Sequence, residues 1–278
     1  MSKFFFSIII PTLNEEKYLP RLLTSLSKQT FRTFEVIIVD GRSEDGTKEE
    51  FLKKRKELPQ STFITSEKRN VSFQRNLGAG QAKGDYLVFL DGDTMIGTDF
   101  LEILKNKIDR EGFLFATTWI VPDTKKMMDR FLLYMGNVGL SIAGAMNIPL
   151  AGGYSTIIER KIFYKLGGFR PEIIYNEDYE FSLNARKRNI KLKILRDPKV
   201  VYSTRRFHSE GLLKLIPKMI GGQLYMFFIG PITTDIFKYK MGGKAHDEAL
   251  KNRKAWVLTA YRKTTARLEK QVMRFFEE

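Results

Sequence analysis

The chain has no cysteine and only two histidines. The first absence excludes disulfide frameworks, thiolate nucleophiles and cysteine-ligated zinc or iron-sulfur sites. The second excludes a histidine-rich metal site. No G-x-G-x-x-G follows the first apolar run, which counts against a dinucleotide-binding dehydrogenase, and there is no Walker A lysine loop. Negative charge is also scarce: 32 Asp and Glu against 47 Lys and Arg leave +15. That balance implies an anionic partner, whether a phosphorylated metabolite, nucleic acid or a negatively charged membrane. What is present is a globular composition, 278 residues with 43% hydrophobic, 13% aromatic and 28% charged side chains, enough for one large domain or two small ones. The apolar run Phe4 to Ile10 ends at Pro11 without a small-residue cleavage site, so it reads as a buried strand rather than a signal peptide. A cytoplasmic chain, or one at the cytoplasmic face of a membrane, is the expectation.

The first ninety residues alternate short β-rich runs with helical patterns, the signature of parallel βαβ units. Phe4 to Ile10 is expected as the first strand and Phe34 to Val39 as the second, with Leu19, Leu22, Leu23 and Leu26 marking a helix face between them. A helix over Thr47 to Leu58, a strand over Thr62 to Thr65, a helix over Val71 to Lys83 ended by Gly84, and a strand over Tyr86 to Leu90 complete a Rossmann-like half. From Phe131 to Ile158 the chain carries no charge. Its interior Asn137, Asn147 and Pro149 and the Gly152-Gly153 pair fit a buried helix, a glycine-rich loop and a strand better than a membrane span. Residues 1–206 are expected to form the main domain. Residues 207–278 form a basic, mainly helical C-terminal segment, in which Met219 to Thr234 has an apolar core between lysines that suits either an interfacial segment or a helix packed on the main domain.

In open α/β sheets ligands sit beyond the carboxyl ends of the strands. Here those ends read Pro11-Thr12-Leu13-Asn14-Glu15, Asp40-Gly41-Arg42-Ser43-Glu44-Asp45-Gly46-Thr47 and Asp91-Gly92-Asp93. Asp91 and Asp93 are two apart on a strand end, so both carboxylates can point to one side, where their repulsion is relieved by a divalent cation bridging to a diphosphate. Oxygen-only ligands favour Mg²⁺ or Mn²⁺. Asp40 is placed either to accept hydrogen bonds from a base or ribose or to close an Asx turn, and Ser43 and Asp45 fit turn and cap roles. Arg75 and Asn76 lie on the helix before the fourth strand. Glu177 and Asp178 open a helix, either complementing its dipole or supplying a general base. Arg205 and Arg206 are either neutralisers of a departing diphosphate or ordinary surface arginines, and His208 reads as a bystander or a supporting group rather than a metal ligand.

These motifs together resemble the inverting glycosyltransferases of family 2, which have the GT-A fold. The resemblance covers residues 5 to about 206 and rests on Ser7 through Glu15, Asp40 through Thr47, Arg75-Asn76, Asp91-Gly92-Asp93, the Gly152-Gly153 loop, Gly167-Gly168-Phe169 and Glu177-Asp178, in that order. It implies a mixed, mostly parallel sheet flanked by helices. It also implies that Pro11, Thr12, Glu15, Asp40 and Arg75 line the nucleotide, that Asp91 touches the sugar-nucleotide, that Asp93 holds the metal and that Asp178 is the general base. Gly152 and Gly153 would shape the donor-sugar and acceptor pocket, and Arg205 or Arg206 would steady the diphosphate. The implied donor is a UDP- or GDP-linked sugar, and the acceptor a glycan or a polyprenyl- or lipid-linked molecule, with peripheral membrane contact through the C-terminal segment. No Q-x-x-R-W occurs, which argues against a processive polysaccharide synthase. A sugar-phosphate nucleotidyltransferase lacks support because no glycine-rich basic loop follows the first strand. A non-catalytic nucleic-acid module lacks support because no aromatic stacking platform accompanies the charge.

Overall fold

Phe6–Thr12 (β1) and Phe34–Asp40 (β2) are apolar runs without alternation, buried along their whole length, as strands covered by helices on both faces must be. In the computed structural model, which describes residues 3–210, 221–222, 225–226, 229–234 and 243, they are followed by Ser61–Thr65 (β3), Tyr86–Leu90 (β4), Met95–Ile96 (β5), Phe115–Pro122 (β6), Ser155–Glu159 (β7) and Lys193–Tyr202 (β8). The helices are Leu19–Ser27 (α1), Thr47–Lys54 (α2), Val71–Gln81 (α3), Phe100–Glu111 (α4), Met127–Ala145 (α5), Arg160–Leu166 (α6), Glu177–Lys187 (α7) and Arg205–Glu210 (α8). One sheet of order β3-β2-β1-β4-β7-β6-β8-β5 holds them together. The β3-β2-β1-β4 half is parallel, β7 runs antiparallel between β4 and β6, and β6 pairs parallel with β8.

The sheet has an apolar layer on each side. On one, Ile8, Ile10, Val36, Ile38 and Val88 meet α1 and α4 through Leu22, Leu26, Leu101 and Leu104. On the other, Ile9, Ile37, Leu87 and Phe89 meet Phe163, Phe169 and Phe181. The alternation of Ile8, Ile9 and Ile10 between the two layers is the period-two geometry of a strand. Helix α3 crosses β1 closely at Gly78, where an added Cβ would lie 2.5 Å from Ile9 Cγ2 and 3.0 Å from Val39 Cγ2. Gly78→Ala is therefore expected to destabilise the protein by about 1–3 kcal/mol through overpacking, despite alanine's better helix propensity. Urea unfolding checks the sign: stabilisation would show that the crossing yields.

Several boundaries differ from the sequence reading. β1 starts at Phe6 and continues through Pro11 to Thr12, because beyond Ile9 the register with β4 ends and only β2 is paired, where a missing N–H is tolerated. The second helix stops at Lys54 and tightens into a short 3₁₀ turn over Arg55–Glu57. α3 stops at Gln81, before Gly84, whose backbone instead packs on β1 so closely that a Cβ would lie 2.6 Å from Ser7 N. The expectation of a buried helix after Phe131 is corrected. α5 is helical and is followed by the glycine loop and β7, but it lies on the outside of the sheet with Phe131, Tyr134, Met135, Ile142 and Met146 exposed. No helix among the described residues is long and apolar enough to cross a membrane. Most of the C-terminal segment lies outside the described residues. Within 219–234, Met226 and Ile232 are buried against Tyr179 of α7, and Ile174 N donates to Ile232 O at 3.1 Å, so these parts pack on the main domain.

Candidate active site

Topology gathers the polar motifs on one edge. The parallel strands β1, β2, β3 and β4 all end there, at Thr12, Asp40, Thr65 and Leu90. β7 begins there, with Ser155 opposite Leu90, so the Gly152-Gly153 loop reaches the same edge from a segment far away in sequence. β8, parallel to β6, ends beside it and delivers Arg205.

The first two loops are locked to each other. Asp40 accepts from Thr12 Oγ1 at 3.0 Å, from Ser43 N at 2.8 Å and from Ser43 Oγ at 2.5 Å. This is the Asx-turn arrangement that frees backbone N–H groups from helical pairing. Asn14 N donates to Ser43 Oγ, Glu15 N to Thr47 Oγ1, and Glu44 N to Asn14 Oδ1, each at 2.7–2.8 Å. Gln74 of α3 braces both strand ends from below, its Nε2 donating to Thr12 O at 2.9 Å and Val39 O at 2.7 Å. The edge is thus rigid before any ligand arrives, the condition for electrostatic preorganisation.

Above this base lie two arginine bridges. Arg205 donates to Glu15 through both terminal nitrogens, at 2.9 and 2.7 Å, and its Nη2 lies 3.1 Å from Asp93 Oδ2, while its guanidinium sits 4.5 Å from the Tyr18 ring centroid. Burial works against the charge on Arg205, but Asp93 and Glu15 outweigh it. Burial raises the Glu15 carboxyl to about 7 against the pull of Arg205, with Asp93 and Asp91 adding to the rise. Arg75, itself only 2% exposed, is the second bridge. It donates to Glu177 Oε1 at 2.7 Å, Asp91 Oδ1 at 3.0 Å and Gly153 O at 2.9 Å. Burial pushes Asp91 up to about 6, with Asp93 and Glu177 contributing and Arg75 opposing.

Asp178 stands beside this bridge. Its Oδ1 accepts from Tyr179 N at 2.9 Å, and burial together with the Glu177 charge raises its pKa to about 7, with Arg75 opposing. A carboxylate poised near neutrality is suited to take a proton from a hydroxyl. Gly153 leaves room for it: an added Cβ would lie 3.3 Å from Asp178 Oδ2 and 3.5 Å from Arg75 Nη2. Asn76, next to Arg75, ties in the Gly167-Gly168-Phe169 turn by accepting from Phe169 N at 2.9 Å and donating to Phe169 O at 2.7 Å. Gly168 is required there, since it has φ +72° and a Cβ would meet Asn76 Oδ1 at 2.7 Å.

The residues fit a divalent cation as partial ligands. Asp91 and Asp93 each give one oxygen to an arginine, which leaves Asp91 Oδ2 and Asp93 Oδ1 as hard oxygen donors of the kind Mg²⁺ and Mn²⁺ take. No group of three or more His, Asp or Glu side chains that could hold a metal by itself is found among the described residues. An ion held here would need phosphate or water oxygens to complete its shell.

The structure therefore brings Glu15, Asp91, Asp93, Arg75, Glu177, Asp178, Gly153 and Arg205 to one edge. Thr12 and Asp40 hold each other there, and Pro11 is buried in β1. Gly152 precedes Gly153 in the loop and packs on Tyr154, where a Cβ would be 2.0 Å from Cε1. Arg206 follows Arg205 on α8, half-buried. His208 Nε2 lies 3.1 Å from Asp129 Oδ2 of α5. Two contributors were missed, Gln74 and Tyr154. Gln74 carried a signal: in α3 Gln74 and Arg75 are buried polar side chains facing the sheet, and such groups need partners. Tyr154, half-buried with its hydroxyl donating to Thr118 O at 3.2 Å, carried none. From the C-terminal segment, Gly243 N donates to Leu13 O at 3.1 Å, laying that backbone against the Arg205–Glu15 pair.

The chain belongs to a sugar-transferring family: the family model described as Glycosyl transferase family 2 matches residues 7–167, and the sheet is of the GT-A type. Among curated relatives, a Haemophilus influenzae glycosyltransferase is 29% identical over 194 residues, 64% of this chain and 60% of the relative. The poly(ribitol-phosphate) beta-N-acetylglucosaminyltransferase TarS of Staphylococcus aureus is 28% identical over 220 residues, 72% of this chain and 36% of TarS. The chain thus spans 60% and 36% of these two relatives' lengths, less than two thirds of either. Residues 1–349 of S. aureus TarS in complex with UDP-GlcNAc superimpose with a TM-score of 0.58 at 20% identity, covering 89% of this chain and 70% of the other. The mannosyltransferase PcManGT of Pyrobaculum calidifontis, in complex with GDP-Man and Mn²⁺, superimposes with a TM-score of 0.61 at 17% identity, covering 92% and 75%. These two likenesses show the fold.

Proposed function

We propose that this chain is an inverting glycosyltransferase that moves a sugar from a UDP- or GDP-linked donor to an acceptor hydroxyl by direct displacement. The observation that carries the reading is the placement of Asp178, a carboxylate poised near neutrality, across Arg75 from the Asp91 and Asp93 carboxylates at the strand ends. S. aureus TarS in complex with UDP-GlcNAc and PcManGT in complex with GDP-Man and Mn²⁺ lend support from a shared fold.

In this reading the nucleotide lies over the β1 and β2 ends, where Thr12, Glu15 and Asp40 hold the loops. Asp91 and Asp93 would hold the Mg²⁺ or Mn²⁺, which when bound would supply Lewis-acid neutralisation of diphosphate charge. Asp178 takes the proton of the acceptor hydroxyl, whose oxygen forms the new bond to the anomeric carbon as the bond to the diphosphate breaks. The nucleoside diphosphate leaves with the electron pair, its charge met by Arg205 and Arg206. Gly152 and Gly153 keep space for sugar and acceptor against Asp178. The acceptor is a glycan or a lipid-linked molecule, and nucleic acid is not a partner because the acidic edge repels it.

Asp93→Ala tests the metal role. Calorimetry with and without Mn²⁺ is expected to show that the variant loses the metal-dependent part of donor affinity. Metal dependence retained at unchanged affinity would contradict the assignment.

A further inference from the structure

The outward face of α5 is apolar along its length. Met128, Phe131, Tyr134, Met135 and Ile142 lie exposed on it, from 49% at Met135 to 61% at Met128, and Met146 is exposed just past its end. The inward face fixes this orientation. Asn137 accepts from Ile120 N at 3.0 Å and donates to Ile120 O at 2.7 Å, and Gly144 sits so close to β8 that a Cβ would lie 2.6 Å from Ile194 Cγ1. The exposed stripe is therefore the permanent outer side of a well-seated helix. A contiguous apolar surface of this kind marks an interaction site.

Charge identifies the partner. Asp129 is the only acidic residue of α5; it is buried and faces His208, and the chain has no charge at all from Phe131 to Ile158. The helix is entered through exposed Lys125 and Lys126, and Arg130 is exposed in its first turn. Beside it Arg196 lies 5.4 Å from the Trp119 ring centroid, and Trp119 donates to Ser141 Oγ at 2.8 Å and meets Tyr134 edge-on at 6.2 Å. Apolar side chains with aromatic and basic residues at their margin are the composition of a helix lying in a membrane interface. A second copy of a chain carrying +15 would add like charge to like, whereas an anionic bilayer satisfies both the stripe and its basic margin.

We propose that α5 is an interfacial docking helix whose outer face seats in the headgroup region of an anionic lipid bilayer. The loop after α5 runs directly to Gly153 beside Asp178, so docking there would hold the site close to a lipid-linked acceptor. That last clause rests on the transferase reading; the docking surface does not.

The test is flotation of the full chain with vesicles of phosphatidylcholine alone or with phosphatidylglycerol added, for wild type and Phe131→Glu/Ile142→Glu. Wild type is expected to float with the anionic vesicles, and the variant to bind them about tenfold or more weakly, as two charges on the buried face of an interfacial helix require. In a Trp256→Phe background, brominated lipid is expected to quench Trp119 fluorescence. Leu52→Glu, an exposed apolar position on α2, is expected to float as wild type does. Absence of wild-type binding, equal binding of the double variant, or self-association that the double variant abolishes would each overturn the proposal. Donor affinity measured by calorimetry on the same proteins separates this question from the transferase reading, because the double variant leaves the donor edge intact.

Discussion

Asp178→Asn is expected to lower transfer by about 10² to 10⁴, the usual size of a lost general base, while donor affinity stays close to wild type. The substitution keeps the side chain's shape and its bond from Tyr179 N but removes its basicity. The pH profile supplies a second readout. A base must be ionised to act, so wild-type transfer should rise with pH through about 7, the value to which burial lifts this carboxyl, and the variant should lose that limb. Stability should move the other way. Between the unfolded value of 3.8 and about 7 the folded state binds more protons than the unfolded state at this position, so its contribution to stability falls as pH rises. Asp178→Asn is therefore expected to raise the melting temperature at pH 8 more than at pH 5. Donor affinity that collapses together with transfer would make Asp178 a structural residue.

Arg75→Met is expected to have the largest effect on stability. Arg75 is nearly inaccessible and its guanidinium is shared by Asp91, Glu177 and the Gly153 carbonyl. Removing the cation leaves two half-buried carboxylates uncompensated, a loss smaller than the ~3–5 kcal/mol of breaking a fully buried pair. The deficit should depend on pH. Asp91 is already lifted to about 6 with Arg75 opposing the rise, and without that opposition its folded pKa climbs further. The variant then binds extra protons when folded, so its stability relative to wild type falls as pH rises. Urea unfolding at pH 5 and pH 8 is expected to show the larger deficit at pH 8. An equal deficit at both would indicate lost packing, including that on the Phe169 ring 5.2 Å away, rather than lost charge.

These two residues also show what was legible in the sequence. The parallel half of the sheet was readable because β1, β2 and β4 are apolar runs, broken only by Ser7 and Glu35, and ended by polar residues, and fully buried strands leave that pattern. Asp91, Asp93 and Asp178 were readable as motifs because each stands at a strand or helix end, and Arg75 because it lies with Asn76 inside the helix before β4. Their partnerships were not. Arg75 meets Glu177 across 102 positions and Arg205 meets Glu15 across 190, and no local spacing encodes contacts of that range. Asp40 closes its own turn, its carboxylate accepting from the backbone and hydroxyl of Ser43 three residues on. Helix α5 failed for a different reason. Its apolarity was plain, but composition does not say which side of the sheet surface an apolar helix face turns to, and here much of it turns outward.

The most direct measurement is calorimetric titration of the full chain with UDP- and GDP-linked sugars, with and without Mn²⁺. Saturable binding of one nucleotide class, strengthened by Mn²⁺ and displaced by the matching nucleoside diphosphate, is the expected result. No binding of either class under any metal condition would contradict a donor site at the strand ends.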